Sequence, residues 1–184
     1  MRTRLSLVEC LMIQLPPGYP ADFAGALAVL KTRTRLSLDD MRVLALLEAA
    51  GEEFYLRIAK GVGHAEAAAL LIQNGREERG HAYRLLKAIE LSGGEPYELP
   101  GADANPFIAG LPAQMAASSE FLSSLERGEQ DGDRTYQRWA DAAANPEVAK
   151  ILRQNGREET RHGERDAQVA QLLAAFVSGS NAQQ

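Results

Sequence analysis

Glu78 and His81 stand three residues apart, and so do Glu159 and His162. On an α-helix a three-residue step keeps both side chains on one face, so each pair aims a carboxylate and an imidazole at one point. Carboxylate oxygen with imidazole nitrogen is a donor set for iron or manganese, and the single cysteine, Cys10, cannot build a thiolate site that would favour structural zinc. Both pairs lie inside one repeated octapeptide. Asn74-Gly75-Arg76-Glu77-Glu78-Arg79-Gly80-His81 recurs 81 residues later as Asn155-Gly156-Arg157-Glu158-Glu159-Thr160-Arg161-His162, with six of eight positions identical. Two of the chain's three histidines fall at matching places in it.

Helical register separates the two glutamates of each adjacent pair. Glu78 shares a stripe with Leu71, His81, Ala82, Leu85 and Ile89, and Glu159 with Val148, Leu152, His162, Val169 and Leu173, so both face inward. Glu77 keeps company with Gln73, Gly80 and Arg84, and Glu158 with Gln154, Arg161 and Arg165, so these are expected outside. Upstream, residues Ala49–Phe54 match Ala116–Phe121, and Gly61 and Gly128 would close the two helices at the same offset of 67. That alignment adds one inward glutamate per half, Glu53 and Glu120. It also implies about 14 extra residues in the second half.

The expected metal ligands are therefore Glu53, Glu78, His81, Glu120, Glu159 and His162, with Glu126 in reserve. Four ionised glutamates in a helical core would repel one another and lose hydration, at a cost of several kcal/mol each when unpaired. Two divalent cations cancel that charge and leave the imidazoles as neutral ligands. The metal-free alternative pairs the glutamates with Arg57, Arg76, Arg79, Arg157 or Arg161. Around this set, Asp166 is a candidate acceptor for an imidazole, and Tyr55 and Tyr83 stand within two residues of expected ligands. Gly75 and Gly156 suggest close helix approach. His64 falls outside the site, and Trp139 reads as a packing anchor.

The elements that must position these residues are helices. Ala21–Leu30 and Leu5–Leu15 read as short helices around the breaker Pro16-Pro17-Gly18-Tyr19-Pro20. Ser37 and Asp40 form a capping signature for a helix ending at Lys60-Gly61. A second helix runs from His64 to Leu91, and residues 95–105 form a long crossover. A third helix opens near Pro106 or Pro112 and closes at Gly128. A short helix covers 134–143, and Asn145-Pro146 opens the last, to Phe176. The expected fold is all-α: an antiparallel four-helix bundle over 38–176, with 1–36 packed on it and 178–184 frayed.

Composition bounds the function. The chain has 184 residues and a net charge of −5, with a pI near 5.3. This disfavours nucleic acid as a partner. No apolar run approaches a membrane span, so no membrane partner is expected. The opening Met1–Leu15 is interrupted by Glu9 and lacks a small-x-small cleavage pattern, so it reads as part of a cytoplasmic folded protein.

On these motifs, over residues 38–176, the chain resembles the ferritin-like superfamily of di-iron carboxylate proteins, nearest to its rubrerythrin-like branch. The resemblance implies a cofactor of two iron ions, with manganese or a mixed pair as alternatives, and Glu78 and Glu159 as bridging ligands. It implies an oxidoreductase acting on O₂ or peroxide with an external electron donor. An iron-storage protein, or a hydroxylase of a larger substrate such as tRNA, belongs to the same superfamily. A homodimer is in keeping with it. One cysteine cannot form the rubredoxin-type iron site of rubrerythrins, and Ser123 stands where those proteins carry a further glutamate.

Overall fold

The computed structural model describes residues 12–113 and 115–181, and its regular structure there is helical throughout. A short helix, α1 (Phe23–Lys31), precedes two long hairpins. The first pairs α2 (Leu38–Gly61) with α3 (Ala65–Leu91); the second pairs α5 (Ser119–Ala142) with α6 (Pro146–Asn181). Between them runs a connection containing a 3-10 turn at Ala102–Ala104 and a four-residue helix, α4 (Pro106–Ala109).

Local chemistry sets these boundaries. Ser37 and Asp40 satisfy each other's backbone amides in a reciprocal capping box at the start of α2. Asp40 then accepts from the Tyr19 hydroxyl and lies 3.4 Å from Arg33, which anchors the N-terminal segment to that cap. His64 caps α3 through its ring nitrogen. Asn145 accepts from Glu147 at the start of α6 while its amide donates to the Leu91 carbonyl, joining the second hairpin to the end of the first. Asn105 does the same for the crossover, capping α4 and donating to the carbonyl of Leu46.

Several elements differ from expectation. The third long helix begins at Ser119 rather than near Pro106 or Pro112, and it runs unbroken through Gly128 to Ala142. A single glycine costs a helix only about 1 kcal/mol, too little to end one that packs along its whole length. The separate helix at 134–143 is therefore the second half of α5. The crossover extends well past residue 105, and α6 continues to Asn181 instead of fraying after Phe176. Helix α1 packs on α2, burying Ala26 and Leu30. The proposed helix at Leu5–Leu15 falls mostly outside the described residues, and 12–15 are not helical.

Helix α2 packs on α3, α5 on α6, and α3 on α6, whereas α2 and α5 face each other across a cavity. Bonds between elements fix the directions. Asn74 reaches His162 and Asp166 while Arg84 reaches Asn155, so α3 and α6 are antiparallel. Tyr55 reaches Glu129 while Tyr136 reaches Glu48, so α2 and α5 are antiparallel too. Two apolar layers fill the interior. One centres on Met41–Ala50, Leu85, Ile89, Trp139 and Leu152; the other holds Tyr55, Ile58, Leu71, Leu122 and Val169.

Candidate metal centre

Between those layers lies a polar one. One ligand atom each from Glu48, Glu78, His81 and Glu159 lie within 4.8 Å of one another, and so do those of Glu78, Glu129, Glu159 and His162. The two groups share Glu78 and Glu159. His81 Nδ1 is 3.2 Å from Glu48, 3.2 Å from Glu159 and 3.7 Å from Glu78. His162 Nδ1 is 3.2 Å from Glu78 and 3.3 Å from Glu159. The two imidazoles stack with centroids 5.3 Å apart. Both are fully buried, as are Glu48, Glu78 and Glu159 nearly so; Glu129 is half-buried and borders the cavity.

Four of the six residues expected from the sequence meet here: Glu78, His81, Glu159 and His162. Glu53 and Glu120 do not. Glu53 pairs with Arg57 at 2.8 Å on the flank of α2, and Glu120 is exposed in the first turn of α5. Glu126 lies outside as well, 3.4 Å from Gln130. Their places are taken by Glu48 and Glu129. The reason is register: the second half carries no insertion, and the whole duplication runs at one offset of 81. Helices α2 and α5 are both 24 residues long and start 81 apart. At that offset Glu48-x-x-Gly51-x-x-x-Tyr55 aligns with Glu129-x-x-Gly132-x-x-x-Tyr136. The match at offset 67, two alanines and a Glu-Phe pair, is local, and the helix boundaries do not follow it.

The residue types repeated in the two halves border the cluster. A Cβ at Gly51 would lie 3.0 Å from the Glu78 carboxyl, so this glycine leaves room for a shared carboxylate, while Gly132 packs against Glu159, 3.4 Å from where a Cβ would stand. The Tyr55 hydroxyl donates to Glu129 and that of Tyr136 to Glu48, each reaching across to the other half. Tyr83, by contrast, is exposed. Gly75 allows close approach, since a Cβ there would lie 3.1 Å from the Glu52 carbonyl oxygen.

The glutamates expected on the outside hold the imidazoles. His81 Nε2 is 3.2 Å from Glu158, and His162 Nε2 is 3.2 Å from Glu77. Arg84 pairs with Glu158, and Arg165 with Glu77 at 2.9 Å, keeping both carboxylates charged. Against the opposing effect of burial, hydrogen bonds from His81, Gln154 and Arg84's charge bring Glu158 down to about 2. Glu77 is likewise held well below the usual carboxylate range, by His162 and Arg165. A carboxylate at Nε2 takes the N–H there and turns the Nδ1 lone pair toward the cluster. Asp166, expected to orient an imidazole, instead lies 3.0 Å from the Tyr55 hydroxyl and accepts from Asn74 at 3.1 Å. Burial raises its carboxyl to about 7.

The cluster's electrostatics are those of crowded acids. Burial, reinforced by the charges of Glu159 and Glu48, pushes Glu78 well above the usual range; burial with Glu159 and Glu78 does the same to Glu129. Glu159 is driven down despite its burial, by the charge of His81 and the closeness of both imidazoles. The same carboxylates outweigh burial at His81, raising it well above normal, and bring His162 up to about 12. Protons can thus hold these carboxylates together, and a cation can do so by replacing them. One atom favours the cation. His162 Nδ1 is buried without a hydrogen-bond partner, because the nearby carboxylate oxygens are close enough to attract it but not aligned to bond it. Oxygen and nitrogen donors converging on such an atom could hold a metal ion.

The chain matches no known family model, no curated protein and no solved structure. Among the described residues, no helix is long and apolar enough to cross a membrane.

Proposed function

We propose that this protein is a ferritin-like dinuclear oxidoreductase whose two iron ions activate or reduce O₂ or peroxide. The observation that carries the reading is the pair of overlapping ligand groups sharing Glu78 and Glu159. In this reading Glu48 and His81 serve one ion, Glu129 and His162 the other, and the two shared glutamates both. The donor set of four carboxylates and two imidazoles suits iron, with manganese or a mixed pair as the alternative metals. A bound ferrous pair would supply two electrons, enough with two protons to take O₂ to hydrogen peroxide or peroxide to water.

The chain's own contribution is to bind, orient and exclude water. Glu77 and Glu158 fix the imidazole rings, Tyr55 and Tyr136 orient the terminal carboxylates, and the apolar layers above and below close the cluster along the bundle axis. Buried phenols beside carboxylates stay protonated: burial and the Glu129 charge raise Tyr55, and burial and Glu48 raise Tyr136. In this reading the reducing electrons would come from an external donor, since one cysteine cannot build a multi-thiolate redox centre.

Anaerobic titration with ferrous iron, followed by O₂, tests the proposal. The expected result is two ions per chain and oxidation within seconds. Loading far beyond two ions per chain would mean storage instead, and no binding would leave a metal-free helical bundle.

A further inference from the structure

The cavity between α2 and α5 has a volume of about 400 Å³. Sites for small molecules span roughly 300–1,000 Å³ and are lined mainly by apolar side chains with a few polar groups. Here the apolar walls include Leu27 of α1, Leu47 and Phe54 of α2, and Leu125, Gly128 and Trp139 of α5. The polar floor is the candidate centre itself: Glu48, Glu78, Glu129 and Glu159 all border the space, with both site tyrosines. Neither His81 nor His162 does. The imidazoles lie toward the packed α3–α6 side, with their Nε2 atoms on the outer carboxylates, so among the described residues the cavity meets the cluster on its carboxylate side.

Electrons for O₂ or iron loading do not require this volume, nor walls of leucine and phenylalanine. We infer that the cavity binds an apolar organic molecule, an alkyl chain or aromatic ring of modest size, with one end against the four carboxylates. The inference rests on the dinuclear reading for its role as substrate, and on the cavity for its chemistry. Gly128 marks the place to test it. It borders the cavity at its exposed mouth, and a Cβ built there meets no atom within 4 Å, so a larger side chain narrows the entrance without moving backbone.

Trp139 is the chain's single tryptophan and lines the same cavity, so its fluorescence reports occupancy directly. The probe is 8-bromo-1-octanol, whose bromine quenches indole on contact. Full-length protein, with iron content measured in every sample, should show saturable quenching. Gly128→Leu should weaken that binding at least tenfold by obstructing the mouth, while Gly128→Ala, too small to obstruct it, leaves it within twofold. Iron content and helical circular dichroism should be unchanged in both. A second hollow, at the end of the bundle, also touches Trp139 but not Gly128, so quenching that survives Gly128→Leu overturns the inference. Absence of saturable quenching in iron-loaded protein overturns it too. Protein that takes up no iron, whatever the quenching, overturns the dinuclear reading and the substrate role with it.

Discussion

The Tyr55 hydroxyl donates to Glu129 on the helix across the cavity, and 3.0 Å away it also meets Asp166. Its counterpart Tyr136 bonds Glu48 and, at 3.4 Å, the amide of Asn155, with no second carboxylate in that place. The two phenols are therefore equivalent by position and unequal in surroundings. They tie α2 and α5 together where backbone contact does not.

Tyr55→Phe should destabilise the protein by about 1–3 kcal/mol, the cost of leaving a buried polar partner unsatisfied. Tyr136→Phe should cost less, because its hydroxyl serves one carboxylate rather than two. Urea unfolding of both variants checks this, and equal losses would show that Asp166 contributes nothing to the difference.

Metal content separates the two assignments of the first-helix ligands. Glu48→Ala and Glu129→Ala should each lower bound iron below two per chain, since each removes a donor from one group. Glu53→Ala and Glu120→Ala should leave it unchanged. Elemental analysis of the four purified variants decides, and the reverse pattern would restore the offset of 67.

Glu77→Gln and Glu158→Gln keep the size of the side chain but remove the charge beside Nε2. Outer-shell changes of this kind typically cost about 10–100-fold in metal affinity. We expect that loss in competition titrations against a chelator, with helical content intact. An affinity within twofold of wild type would mean that the imidazoles need no orienting carboxylate.

Iron uptake should release protons, because His81, His162, Glu78 and Glu129 all hold theirs more tightly than free side chains do. Affinity should accordingly rise with pH. The metal-free protein behaves oppositely. A histidine raised to about 12 in the fold contributes stability fully present below its unfolded value, near 6.5, and lost progressively as pH climbs toward 12. Melting temperature in chelator should therefore fall from pH 6.5 to pH 9, while the iron-loaded protein changes little. A chelated protein with a flat profile over that range would contradict the proton-held cluster.

The sequence made the helical class, the α2 and α3 boundaries and the Glu-x-x-His pairs legible, because periodicity and capping are local signals. Ser37 with Asp40 and Asn145 with Pro146 mark helix starts that the structure reproduces. Glu48 and Glu129 were legible only through the uniform 81-residue offset, which the alanine-rich match of Ala49 and Ala50 with Ala116 and Ala117 obscured. Gly128 misled as a helix end, since the packing of α5 overrides a weak propensity. The role of Glu77 and Glu158 was hidden for another reason. Periodicity assigns a side chain to a face, but these two bend from the edge of that face to a histidine on the opposite helix, a contact that exists only after the halves meet.

The 81-residue duplication also constrains ancestry. A lone hairpin of residues 38–91 would carry Glu48, Glu78 and His81 but none of the partners that Tyr136 and Glu158 provide from the other half. Such a peptide could complete this cluster only by meeting a second copy across a twofold axis, so a homodimer is its natural antecedent. Within one chain the two halves can differ. Asp166 stands where strict repetition would place a leucine, Leu85, and no symmetric dimer could have acquired it on one side alone.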